Sequence, residues 1–153
     1  MDRVVAPTDT RKHSAKPPRH ARSVLVVGTD DWAVEQLGAQ LAAAGRQAHR
    51  CHDPGAAPFP CNAFIPGRGC PLDQGVDVAV TIRARPLPNA TGGETGVTCA
   101  LRMGVPVVVA GMTAGNPFAS CASGMVGLDG DVGAAVDGAA EAHRTVDLRA
   151  PLR

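Results

Sequence analysis

The chain has 153 residues, 44% of them hydrophobic, with only one Trp, three Phe and no Tyr. That length suits one domain and buries on the order of two-thirds of the unfolded surface. Residues 1–22 carry six basic and two acidic side chains, a net of +4, against nine and twelve in the remainder, a net of −3. The body of the chain is therefore a poor surface for nucleic acid, and only the N-terminal arm could touch phosphate. No apolar run approaches the ~20 residues needed to span a membrane. The charged N-terminus has no apolar h-region of a secretory signal, so cytoplasmic residence is expected. There, cysteines are thiols or metal ligands more often than disulfides.

Residues 1–22 contain Pro7, Pro17 and Pro18 among Arg, His, Thr and Ser, and are expected to be a disordered basic arm. Residues 23–145 are expected to form a single α/β domain, and residues 146–153 a frayed C-terminus. Ser23 to Gly28 is a branched apolar run, the pattern of a strand buried on both faces. Asp30 or Asp31 can cap the helix that follows, whose Val34, Leu37, Leu41 and Ala44 recur at helical spacing. Gly45 suits its C-terminus. Gln47 to Cys51 reads as a short second strand.

His52 to Gly75 is rich in Pro and Gly. A loop of about 24 residues is unusual in a compact domain and often functional. Val76 to Ile82 is a third strand, and Glu94 to Met103 a helix with Val97, Ala100 and Leu101 inward. Val105 to Gly111 is a fourth strand, its Pro106 tolerable near the start. Asn116-Pro117 opens a helix expected to reach about Gly124. A weak fifth strand is placed around Met125 to Leu128, and an Ala-rich helix over Asp131 to His143. Strands alternating with helices imply right-handed crossovers and a three-layer parallel sheet of four or five strands, flavodoxin-like or Rossmann-like, in the order 2-1-3-4(-5).

In such sheets ligands bind beyond the carboxyl ends of the strands. That edge carries Asp30, Asp31, Arg83, Arg85, Thr113 and Asn116, which are candidate ligand residues for an anionic small molecule. Arginines grip carboxylate or phosphate in bidentate fashion. If the third strand continues, alternation puts Arg83 and Arg85 on one side. The competing reading pairs these arginines with Asp73, Asp77 or Glu94. A dinucleotide loop is not supported: only Gly28 is present, and Asp30 and Asp31 would repel a pyrophosphate at that helix start. No G-x-S-x-G or H-E-x-x-H motif occurs, so no catalytic constellation is expected, and the chain is read as a non-enzymatic module.

The remaining lead is cysteine. Cys51, Cys61 and Cys70, with His52 adjacent and His49 nearby, gather three thiols on or beside one flexible loop. Three Cys and one His can make a tetrahedral zinc site, and three Cys with an open position can hold an iron–sulfur cluster. Cys51, His52, Cys61 and Cys70 are thus the candidate metal ligands, although the spacing is not a C-x₂-C signature. A reversible Cys61–Cys70 disulfide is the alternative, making a redox switch. The structural reading leaves these cysteines as half-buried loop thiols. Cys99 and Cys121 are expected in the core.

Val24-Leu25-Val26-Val27 before an acidic pair, Val76 to Pro86, and Val105 to Ala114 together resemble strands one, three and four of a response-regulator receiver domain. The likeness covers roughly residues 23–114 and implies a flavodoxin-like fold. It matches Asp30 and Asp31 to the family's acidic pair and Thr113 to its switch hydroxyl. Its phosphoacceptor place falls on Thr81 or Ile82, neither of which can serve, and no Lys follows Lys16. The resemblance thus implies a receiver-like module that does not take phosphate. The chain also resembles small uncharacterised α/β proteins of high-GC bacteria that share Phe-Pro-Cys-Asn and Pro-Gly-Arg-Gly-Cys-Pro-Leu-Asp. That likeness implies no activity. A protein partner or a second copy of the chain, docking on a sheet edge or helix face, is a further possibility that the sequence leaves open.

Overall fold

A computed structural model describes residues 22–147. Five strands form one parallel sheet in the order β2-β1-β3-β4-β5: β1 Ser23–Gly28, β2 Gln47–His49, β3 Val78–Arg83, β4 Val107–Gly111 and β5 Gly124–Val126. The helices are α1 Asp31–Ala43, α2 Thr95–Arg102 and α3 Val132–Asp147. This strand order is that of the flavodoxin-like α/β fold. Among the described residues no helix is long and apolar enough to cross a membrane.

The central strands are runs of Val, Leu and Ala because both of their faces are covered. On one face, Val24, Val26, Val78, Val80 and Val108 pack under Leu37 and Leu41 of α1 and under Val136, Ala139 and Ala140 of α3. On the other, Leu25, Val27, Ala79, Val107 and Val109 pack under Val97 and Ala100 of α2, with Leu72 and Phe118 completing the cover from loops. Each branched side chain so buried contributes about 1.5–3 kcal/mol.

The second face is covered differently because two of its crossovers lack a helix. The β2–β3 connection has only the 3₁₀ turns Asn62–Phe64 and Pro71–Gln74. The helix expected from Asn116 to Gly124 is a single 3₁₀ turn, Ala119–Cys121. A parallel crossover needs about a dozen residues, and residues 112–123 leave no room for several turns. Asn116 instead turns the chain, its Oδ1 accepting the Phe118 N–H at 2.9 Å, and Phe118 is buried.

The remaining differences lie at boundaries. β2 stops at His49, β3 gains Arg83, and Leu101 is partly exposed rather than inward. Asp30 is the residue before α1, but its side chain makes no capping bond. The helix continues to Asp147, inside the end expected to fray, while residues 148–153 and the basic arm up to residue 21 lie outside the described residues.

Gly28, the one glycine of the dinucleotide reading, is a packing residue. A Cβ there would lie 2.4 Å from the Ile82 carbonyl oxygen. Gly93 is held the same way, since a Cβ there would lie 2.3 Å from the carbonyl oxygen of Gly28, so the turn before α2 docks directly on the end of β1.

Candidate functional site: a thiol-lined pocket

The loop after β2 is tied down by polar contacts at its base. Asp31 accepts from Arg50 at 2.7 Å and from the Gly55 N–H at 2.8 Å. Arg68 pairs with Asp53 across the loop. The Asn62 N–H donates to the Cys51 carbonyl at 2.7 Å, returning the chain to where the loop began. Phe59-Pro60 is a cis peptide. Leu72 then buries against the second face of the sheet and anchors the far end.

Between this loop and α2 lies a cavity of about 150 Å³. Four of the chain's five cysteines line it: Cys51, Cys61 and Cys70 from the loop side, and Cys99 from α2. Cys51 and Cys70 also pack against the core of this face. Phe59, Phe64, Pro58 and Leu72 supply much of the rest. None of the described residues that line it is Asp, Glu, Lys or Arg. Gly96 of α2 lines the pocket and packs closely on the loop side. A Cβ at Gly96 would lie 2.8 Å from the Cys51 Sγ.

All five cysteines are free thiols. Burial pushes the Cys51 thiol up to about 12, and the neighbouring Cys70, Cys61 and Cys99 add to the rise, because a thiolate there would face other thiolates in an apolar setting. Cys51 is therefore held protonated at neutral pH. Among the described residues no group of three or more His, Cys, Asp or Glu is placed to hold a metal ion. The expected donor set of Cys51, His52, Cys61 and Cys70 forms no preformed centre: His52 turns toward Asp31, with Nε2 at 4.0 Å from Oδ1, and Cys51 lies against Gly96. These residues as placed do not fit zinc or an iron–sulfur cluster.

Two cysteines depart from expectation. Cys99 and Cys121 are exposed rather than in the core. Cys99 shares a helix face with Gly96, three residues earlier, and that spacing is the signal that could have placed it on the pocket. Cys121 lies outside the pocket, its Sγ donating to the Phe118 carbonyl at 3.2 Å.

The carboxyl edge of the sheet places the other candidates. Arg83 is fully buried, at 1% exposure, and grips Glu94 in bidentate fashion: Nε to Oε1 at 2.8 Å and one terminal nitrogen to Oε2 at 2.7 Å. It also donates to the carbonyls of Leu87 and Asn89. Thr81 donates to Glu94 at 3.0 Å, and Glu94 accepts the Thr91 N–H at 3.0 Å. Burial alone would raise the pKa of Glu94. Hydrogen bonds from Arg83, Thr91 and Thr81, with the Arg83 charge, outweigh burial and hold the carboxyl below its ordinary value.

Arg85 is exposed and pairs with Asp30 at 2.9 Å. The arginines thus meet the protein's own carboxylates, and Arg83 and Arg85 do not converge on a shared pocket. Thr113 is half-buried on the turn after β4. Asn116 is buried, with its Nδ2 unpartnered.

No protein-family model matches the chain, and no curated protein matches it. Among solved structures, the chain is similar to a response regulator protein from Burkholderia multivorans, determined in solution. The two are 17% identical with a TM-score of 0.42, the match covering 87% of this chain and 98% of that one. The flavodoxin-like assignment stands on strand order, and that structure lends this chain no activity.

Proposed function

We propose that this chain is a non-enzymatic regulatory module whose working part is the thiol-lined pocket, acting as a reversible redox switch. The observation that carries the reading is the gathering of four of five cysteines, from segments far apart in sequence, around one small cavity. The switch couples Cys61 and Cys70, both on the loop and both partly exposed. Hydrogen peroxide is a sufficient oxidant. Each thiol gives up one proton and one electron, the S–S bond forms, the O–O bond breaks, and two waters leave. A cytoplasmic thiol pool would reverse the reaction, which suits the location expected from the sequence.

The fold supports a regulatory output. The loop stands where a flavodoxin-like domain commonly carries a helix, and it is held at its base by Asp31 and at its far end by Leu72. A cross-link within it can reshape one surface without disturbing the sheet. The test is a thiol count on the reduced chain before and after stoichiometric peroxide. Two thiols should disappear, return with dithiothreitol, and fail to disappear as a pair in Cys61→Ser or Cys70→Ser. An unchanged count, or a loss that dithiothreitol cannot restore, contradicts the switch. So does stoichiometric zinc or iron in protein purified without air or chelator, which would return these thiols to metal binding.

A further inference from the structure

We propose that the pocket captures small uncharged one-ring quinones and presents them to its thiols, an inference that rests on the thiol-switch reading and names the class of signal. Three observations converge. The cavity of about 150 Å³ is the size at which an engineered apolar cavity of about 150 Å³ holds a benzene ring. Its described lining offers no Asp, Glu, Lys or Arg, and apart from His52, Thr95 and the thiols it is apolar, which favours an uncharged ring over a charged ligand. Phe59 and Phe64, with ring centroids 5.8 Å apart, stand at the pocket as exposed aromatic surface, 74% and 70% accessible. A flat apolar ring gains from such neighbours.

A ring held there lies among four sulfurs, and a quinone is the uncharged ring that sulfur attacks. The thiolate adds to a ring carbon and forms an S–C bond. One ring C=C gives up its π pair, and the ring becomes aromatic with both oxygens protonated, one proton coming from the thiol and the other from the attacked carbon. Thiol and quinone together give one hydroquinone thioether, with no other reactant. Cys51, deep in the pocket and held protonated, is the least able of the four to attack. The reacting residues are therefore Cys61, Cys70 and Cys99.

Cys121 is an internal control, since it is exposed and lies outside the pocket. The reduced full chain is treated with less than one equivalent of 1,4-benzoquinone, and the adducts are located by peptide mass spectrometry. Adducts per thiol should be several-fold more frequent at the most reactive of Cys61, Cys70 and Cys99 than at Cys121. Phenol, an unreactive ring of the same size, should slow them without slowing labelling of Cys121. Ala63→Trp, which places a large ring on the pocket wall, should remove the preference while leaving iodoacetamide labelling intact. Adducts spread evenly over pocket thiols and Cys121, or indifferent to phenol, would overturn the proposal without recourse to any variant. Peroxide coupling of Cys61 and Cys70 without quinone preference removes the quinone and leaves the switch. Quinone preference without peroxide coupling removes the switch and reduces the pocket to a quinone trap.

Discussion

The two faces of the sheet solve the same burial problem in different ways. One is closed by α1 and α3, whose Leu37, Leu41, Val136 and Ala140 fit a field of valines, and the clefts beside α1, of about 130 and 170 Å³, have no cysteine among their described lining. The other is closed by the short α2 and two irregular crossovers, and keeps a cavity with thiols on its walls. A face built from long helices stores its energy in packing and has little freedom to change. A face built from a loop can rearrange at small cost, so the chemistry-bearing residues gather there.

The largest expected effect breaks the open face at its polar anchor. Arg83→Met leaves Glu94 buried without its partner and should cost about 3–5 kcal/mol, read by denaturant unfolding. The same anchor sets acid stability. The folded-state pKa of Glu94 lies below its unfolded value, so its contribution is present above the unfolded pKa and lost as pH falls through the folded one. The acid limb of the stability profile should flatten in Glu94→Gln, alongside the lower stability of that variant at neutral pH.

Next in size is a direct contrast of the faces. Leu41→Ala, at 2% exposure on the closed face, should cost about 2–5 kcal/mol. Phe59→Ala, on the open face, should stay within about 0.5 kcal/mol while removing ring capture. Equal costs would dissolve the distinction between packing face and working face. Gly96→Ala drives a methyl into the Cys51 Sγ and Val27, and should cost about 1–3 kcal/mol. It should also change the accessibility of the pocket thiols to a maleimide.

A further effect appears only at alkaline pH. With Cys51 raised to about 12 from an ordinary 9.0, the unfolded chain loses its proton first, so stability is full below pH 9 and declines as pH rises toward the folded value. Thermal melts of Cys51→Ala should lack that decline. The smallest effect is Arg85→Ala, which removes an exposed partner of Asp30 and should change stability by about 0–1 kcal/mol, less in high salt.

Much of the closed face was legible in sequence. Its valine runs and the spacing of Val34, Leu37 and Leu41 encode both sheet and helix locally, and strand order followed from alternation. The open face was legible only in part. The loop stood out by its prolines and glycines, and Cys51, Cys61 and Cys70 by their gathering on or beside it. Cys99 was missed because its neighbours lie far along the chain and come together only when α2 crosses the sheet. Glu94 was visible only as one of several possible partners for Arg83, since nothing local marks a carboxylate that will be buried. The failed helix after Pro117 was read from a good N-terminal signal, whereas the length of the crossover decided the outcome.

The central claim is that the state of the thiols changes the shape of the open face and of little else. Amide hydrogen exchange of the reduced and peroxide-oxidised chain tests it directly. The account expects altered exchange in residues 50–75 and at the start of α2, with β1, β3, β4 and α1 unchanged. Identical exchange in both states, or a change spread evenly through the sheet, would contradict it.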